Sequence, residues 1–149
     1  MYTLLAAQPA AEPHPAYRET IIVTNRAVIA TGQAPAAIGP YSQAIKVGNT
    51  VWMSGQIPMD PETGEVVHGD IEAQAERVFK NMAAVAAAAG GNLNDAVKVN
   101  ISVINMGDFA VVNDVMARFF SEPYPARACV EVAGLPKGVA IEVEAILCV

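Results

Sequence analysis

Two segments of the chain repeat their apolar residues at helical spacing, and one alternating segment stands between them. In the first, Ile71, Ala75, Val78, Met82, Val85 and Ala89 step by fours and threes, which draws one stripe along an α-helix. Asp70 is placed to cap its start, Glu72 suits its first turn and Gly90 ends it. The alanine-rich run from Ala83 to Ala89 favours helix and allows close packing on a sheet. In the second, Phe109, Val112, Met116 and Phe119 keep the same rhythm, Asn105 stands as a cap, and Pro123 and Pro125 bar continuation. Between them Val97, Val99, Ile101 and Val103 alternate with Lys98, Asn100 and Ser102, the pattern of a half-buried strand.

The remaining strands follow from shorter signals. Ile21 to Thr24 reads as a first strand, and Thr31 to Pro40, with two Pro and two Gly, as a loop. Tyr41 to Val47, the turn Gly48-Asn49, and Val51 to Ser54 read as a hairpin. Pro58 to Gly69 is a polar connection, and Arg127 to Val132 and Ile141 to Ala145 are strands around the turn Gly134 to Gly138. The order β-β-β-α-β-α-β-β predicts an α+β protein, a mixed six-stranded sheet with two helices packed on one face. The other face, with Trp52, Cys129, Ile146 and Cys148, is too apolar for water, which predicts burial against copies of the chain and hence a homo-oligomer.

Composition narrows the function classes. The 149 residues, 53% hydrophobic, suffice for one core, expected over 21–149. Residues 1–20, with Pro9, Pro13 and Pro15, read as a flexible extension, its apolar patch Leu4 to Ala7 lacking the basic start and the apolar length of a secretory signal; a processed targeting segment is the alternative. No run is long enough for a membrane helix, so no membrane partner is expected. A net charge of −6 argues against a nucleic-acid surface but leaves room for one small anion at a local arginine. Cys129 and Cys148 have no metal-type spacing, which fits a reduced, cytoplasmic setting, and Cys148 reads as a small buried hydrophobe.

The candidate chemistry lies near the C-terminus. With the last two strands taken as an antiparallel hairpin, Ala128, Val130 and Val132 face the core with Ile141, Val143, Ala145 and Leu147. The other face then gathers Arg127, Cys129 and Glu131 with Glu142 and Glu144. A guanidinium there can clasp a carboxylate, and a nearby glutamate can position or deprotonate a water. The same spacing equally fits a structural Arg–Glu pair tying subunits together. Tyr41 fits either packing or a site role, Ser54 either an edge-strand hydroxyl or a ligand contact, and Asn113 either a helix-surface hydrogen bond or a site role. No catalytic triad is readable, since His14 sits in the extension and His68 in a turn, and Cys129 has no partner histidine.

Four motifs in order make a family resemblance. Ala36-Ala37-Ile38-Gly39-Pro40-Tyr41-Ser42-Gln43-Ala44, Ser54-Gly55-Gln56-Ile57-Pro58, Pro125-Ala126-Arg127-Ala128-Cys129-Val130-Glu131-Val132 and the stretch Leu135-Pro136-Lys137-Gly138 through Ala145 closely resemble the RidA (YjgF) family of imine deaminases. The likeness runs from about Ile21 to the C-terminus. It implies a chorismate-mutase-like fold and a homotrimer with sites in clefts between subunits. It also implies hydrolysis of 2-aminoacrylate, 2-iminopropanoate or 2-iminobutanoate to 2-oxo acids and ammonia, a form of metabolite damage control. No cofactor and no metal are implied. By the resemblance, Arg127 binds the substrate carboxylate, Glu142 sits by the water and Tyr41 lines the pocket. Ser54, Gly55 and Asn113 contact ligand, and Cys129 flanks the pocket through its backbone. The segment Ser121 to Tyr124 is shorter than in some members, which bears on one pocket wall. The alternatives are a non-catalytic binder of small carboxylates such as 2-oxo acids, and a nuclease or chaperone-like interaction protein.

Overall fold

A computed structural model describes residues 25–149, with strands β1 (Arg26–Ile29), β2 (Ala44–Val47), β3 (Thr50–Gln56), β4 (Ala96–Val103), β5 (Ala126–Glu131) and β6 (Ile141–Cys148) and helices α1 (Ile71–Ala88) and α2 (Phe109–Phe119). The expected strand at Ile21 to Thr24 lies outside the described residues. β1 at Arg26–Ile29 is not among the expected strands; from β2 onward the order of strands and helices is the predicted one. α1 begins where its capping signal predicts, the Asp70 carboxylate accepting from the Ala73 N–H at 2.9 Å. Asn105, expected to cap the second helix, instead caps a 3-10 turn, Met106–Asp108, and α2 follows from Asp108 without a side-chain cap. Gly90 takes φ +93°, a left-handed turn that closes α1. The last turn of α1 has no basic residue of its own. Lys46 on β2 supplies one instead, donating to the Ala89 carbonyl at 3.0 Å, where a cation complements the helix dipole.

The stripe read from α1 is the buried one. Ala75, Val78, Met82 and Val85 are fully enclosed against β3 and β6, and Phe79 beside them meets Phe119 and Phe120 edge-on or tilted. Val112, Val115 and Met116 of α2 and Val99, Ile101 and Val103 of β4 complete the same core. Val97 departs from its expected place. A bulge between Ala96 and Lys98 pushes it outward, to 52% exposed, and Ala96 takes the buried position.

The sheet order is β1-β2-β3-β6-β4-β5, and it overturns the expected C-terminal hairpin. β6 lies between β3 and β4, antiparallel to both, while β5 runs parallel to β4 at the sheet's edge. Two physical reasons account for this. A helix separates β4 from β5, and a strand–helix–strand unit returns a parallel strand beside the first. β6 also has the cleaner alternation, with Ile141, Val143, Ala145 and Leu147 all buried, so it takes a central place, whereas β5 buries no residue fully and suits an edge. The faces change with the pairing. Arg127, Cys129 and Glu131 stand opposite Val99, Ile101 and Val103 and so project to the helix side. Ala128 and Val130, expected in the core, lie on the open face, Val130 being 49% exposed. Trp52, Ile146 and Cys148 lie on that open face as read, but Cys129 packs toward the core, and Cys148 is exposed rather than buried.

Candidate functional site on two faces of the sheet

The site begins with a glycine. β3 loses register with β6 between Met53 and Gln56, and Gly55 falls in that irregular stretch. A Cβ at Gly55 would lie 1.9 Å from Oε1 of Glu142, so only glycine leaves room for that carboxylate to cross the strand. Ser54, beside it, is fixed at both ends: its hydroxyl donates to the Ser42 carbonyl at 2.6 Å and its N–H to the Gln43 carbonyl at 3.0 Å. β3 is paired on both sides, so Ser54 is not the edge-strand hydroxyl considered above. Tyr41 follows the Gly39-Pro40 turn with its ring half exposed. Tyr41, Ser54, Gly55 and Glu142 line a groove of about 370 Å³, flanked by Ile38 and Lys137. Burial pushes the Glu142 carboxyl above the usual carboxylate range, and the negative charge of Glu144 on the same face adds to the shift.

Arg127 lies elsewhere. Its guanidinium sits over the Phe109 ring at 5.1 Å and donates to the Asn113 side-chain oxygen, so α2 holds it from two directions. Arg127 and Asn113 border a second concavity with Tyr124 and Pro125. The expected cluster with Glu131, Glu142 and Glu144 does not form. Glu131 accepts from the Met106 N–H at 2.7 Å and Glu144 from the Asn100 amide at 2.9 Å. Among the described residues the ion pairs are Lys80–Glu76 and Arg118–Glu72, and Arg127 has no acidic partner. Cys129 is half-buried, and burial raises its thiol pKa while Arg127 offsets this only in part, which leaves it a poor nucleophile.

Arg127 and Glu142 therefore occupy opposite faces of one sheet. Arg127 shares a side with buried Val99, and Glu142 shares the other with Ser102. Arg127 and Asn113 come together, as do Tyr41, Ser54, Gly55 and Glu142, but one chain does not unite the two sets. Phe109 was read only as helix core; it is 37% exposed and serves as the platform under Arg127. The signal that could have revealed it was the helix between β4 and β5, which turns the start of α2 toward the Arg127 side of β5. Among the described residues no group of three or more His, Cys, Asp or Glu is placed to hold a metal ion. No helix there is long and apolar enough to cross a membrane.

The fold and site define a small α+β sheet with a carboxylate-lined groove on one face and a held guanidinium on the other. Comparison with known proteins makes the class specific. The family model described as Endoribonuclease L-PSP matches residues 31–149. A RutC family protein of Pyrococcus abyssi is 56% identical over 119 residues, 80% of this chain and 94% of that protein. A protein of Dermatophagoides farinae named 2-iminobutanoate/2-iminopropanoate deaminase is 50% identical over 125 residues, 84% of this chain and 98% of its own length. The crystal structure of RidA from an Antarctic Psychrobacter species superposes with a TM-score of 0.80 at 57% identity, covering 83% of this chain and 99% of that one. The chain belongs to the YjgF/RidA family.

Proposed function

We propose that this protein hydrolyses 2-imino acids, and the enamines that tautomerise to them, in a cleft completed by two copies of the chain. The observation that carries this reading is the split itself. Each face presents half of a hydrolytic site, and neither half finds its counterpart within the chain. A cyclic assembly in which the Arg127 side of one copy meets the Glu142 groove of the next would join them, and the family resemblance supports a ring of three.

In such a cleft the Arg127 N–H groups not directed at Asn113 clasp the substrate carboxylate, and the aromatic face of Phe109 holds the planar fork in place. Glu142 takes a proton from water as the oxygen adds to the C=N carbon. It returns that proton to the amine nitrogen and, as the C–N bond breaks, accepts the remaining hydroxyl proton, which leaves with the ammonia, so that protonated imine and water become 2-oxo acid and ammonium. A raised carboxyl pKa suits a group that must both accept and give a proton. Tyr41 and Ser54 border the place where that water would sit. The protonated imine is already electrophilic, so no covalent nucleophile is required. A net charge of −6 gives no support to RNA as substrate.

Mixing tests the shared cleft. Arg127→Ala and Glu142→Gln are each expected to be inactive alone. Unfolded and refolded together at equal amounts, they should regain about one quarter of wild-type ammonia release, because one interface in four then has both native halves in a cyclic ring. No recovery from properly assembled mixtures would exclude a site made by two copies. Binding of 2-oxobutanoate by a wild type that releases no ammonia from 2-iminobutanoate would mark a carboxylate binder instead.

A further inference from the structure

The groove beside Glu142 has two walls that no helix or regular strand supplies. One is the loop over 31–41, which contributes Pro35, Ala36 and Ile38; the other is the segment just after β3, which contributes Ile57 and Met59. Backbone outside a regular ladder must find other partners to hold one position. The buried polar residues among those described are three carboxamides, Gln43, Gln56 and Asn81. Two of them reach into the walls.

Gln43 stands just before β2 and is 4% exposed. Its Oε1 accepts from the Thr31 N–H at 2.7 Å. Its Nε2 donates among the carbonyls of Pro35 at 2.8 Å, Thr31 at 3.0 Å and Ala34 at 3.2 Å. One side chain thus ties down the base of the first wall. Asn81 on α1 is fully enclosed, and its Nδ2 donates to the carbonyls of Met59 at 2.9 Å and Ile57 at 3.3 Å. Its Oδ1 has no partner. An unpaired buried acceptor works against folding, so helix packing alone would favour an apolar residue at 81. The use of the amide lies in its NH₂ end, which anchors the second wall.

We propose that Gln43 and Asn81 are positioning residues that set the distance between the two walls, and that this distance selects the substrate's side chain. The proposal rests on the function given above: Arg127 and Glu142, carried on strands, act on the carboxylate and C=N carbon that all 2-imino acids share, while the apolar walls meet the part that differs. The amides act through the walls and touch no substrate atom.

Steady-state kinetics on 2-iminopropanoate and 2-iminobutanoate, generated in place by an amino-acid oxidase, test this. Against apolar walls one extra methylene should lower the wild-type KM about fourfold. In Gln43→Ala and in Asn81→Ala that ratio should fall toward one, with kcat for both imines within about threefold of wild type. A merely structural role would change both substrates alike and keep the ratio, and that result would overturn the proposal. Asn81→Ala frees one wall only and decides the matter where Gln43→Ala fails to fold, with circular dichroism and particle size reporting folding. Calorimetric affinities for 2-oxopropanoate and 2-oxobutanoate give the same ratio without turnover. A wild type that hydrolyses neither imine therefore sinks the proposed activity, while the oxo-acid ratio in the variants still decides the walls.

Discussion

The two faces of the sheet hold their polar groups by different means. On the open face Glu142 is placed by absence: a glycine clears the strand beneath it, and the neighbouring serine is pinned by main-chain and hydroxyl bonds. On the helix face Arg127 is placed by presence, with a ring beneath it and an amide beside it, on the strand at the edge of the sheet among the described residues. A half-buried carboxylate with a raised pKa is suited to moving protons. An exposed, flat guanidinium is suited to catching an anion and orienting it. The contrast teaches that the two groups are placed by separate means; in the proposed function one supplies the chemistry and the other the grip, and assembly is what would bring them together.

The largest expected effect tests the grip. Arg127→Ala should lower kcat/KM by about 10³-fold, the loss that follows from leaving a bound carboxylate without its charged partner, with the oligomer unchanged by light scattering. Arg127→Lys should restore little of it, because a point charge does not replace the two-pronged fork. Retention of activity within tenfold of wild type by Arg127→Ala would remove the guanidinium from the site.

The next effect tests the chemistry. Glu142→Gln should lower kcat by about 10²-fold or more with the substrate's KM little changed. Gly55→Ala should act in the same direction by driving the carboxylate out of the groove. The direction of the Glu142 shift also gives a pH signature. Its folded-state pKa lies above the ordinary 4.5, so the carboxyl's favourable contribution to stability is complete below that value and is lost as pH rises through the folded-state pKa. Chemical denaturation should thus find Glu142→Gln more stable than wild type at pH 7, with the gain vanishing near pH 4. The acid limb of kcat/KM, which reports the free enzyme, should likewise fall at a pH above that of an ordinary carboxylate. A Gln variant that is less stable at pH 7 would refute the burial argument.

The smallest effect separates platform from partner. Phe109→Leu keeps an apolar surface but removes the ring face under Arg127, worth about 0.5–1 kcal/mol at an exposed site. KM should rise about threefold with kcat held, measured on the same imines. An equal loss in kcat would mean that the ring does more than steady the guanidinium.

Much of the fold was legible because it rests on local periodicity. The stripe from Ala75 to Val85, the Asp70 cap and the Gly48-Asn49 turn each follow from residues a few positions apart. The alternation of β6 was legible for the same reason, and so were the identities of Arg127, Glu142, Tyr41, Ser54, Gly55 and Asn113 as polar or small residues in motifs. What misled the reading was adjacency in sequence. β5 and β6 are consecutive, and a hairpin is the default for consecutive strands, but the helix before β5 had already committed it to a parallel partner. That one pairing decided the facing of every residue from Arg127 to Glu131, and with it the separation of Arg127 from Glu142. Phe109 was missed for the same cause: its stripe position is right, but the stripe's first residue looks past the core toward β5.

The sequence by itself determined which segments become helices and strands, which face each strand of clean alternation buries, and which side chains are able to bind an anion or move a proton. Those properties depend on neighbours along the chain and on the chemistry of single residues. Only the tertiary structure decided strand order, and hence that the guanidinium and the carboxylate stand on opposite sides of one layer. Strand order depends on which long-range pairing buries the most apolar surface while satisfying every central backbone group, a competition among distant segments that no local pattern records.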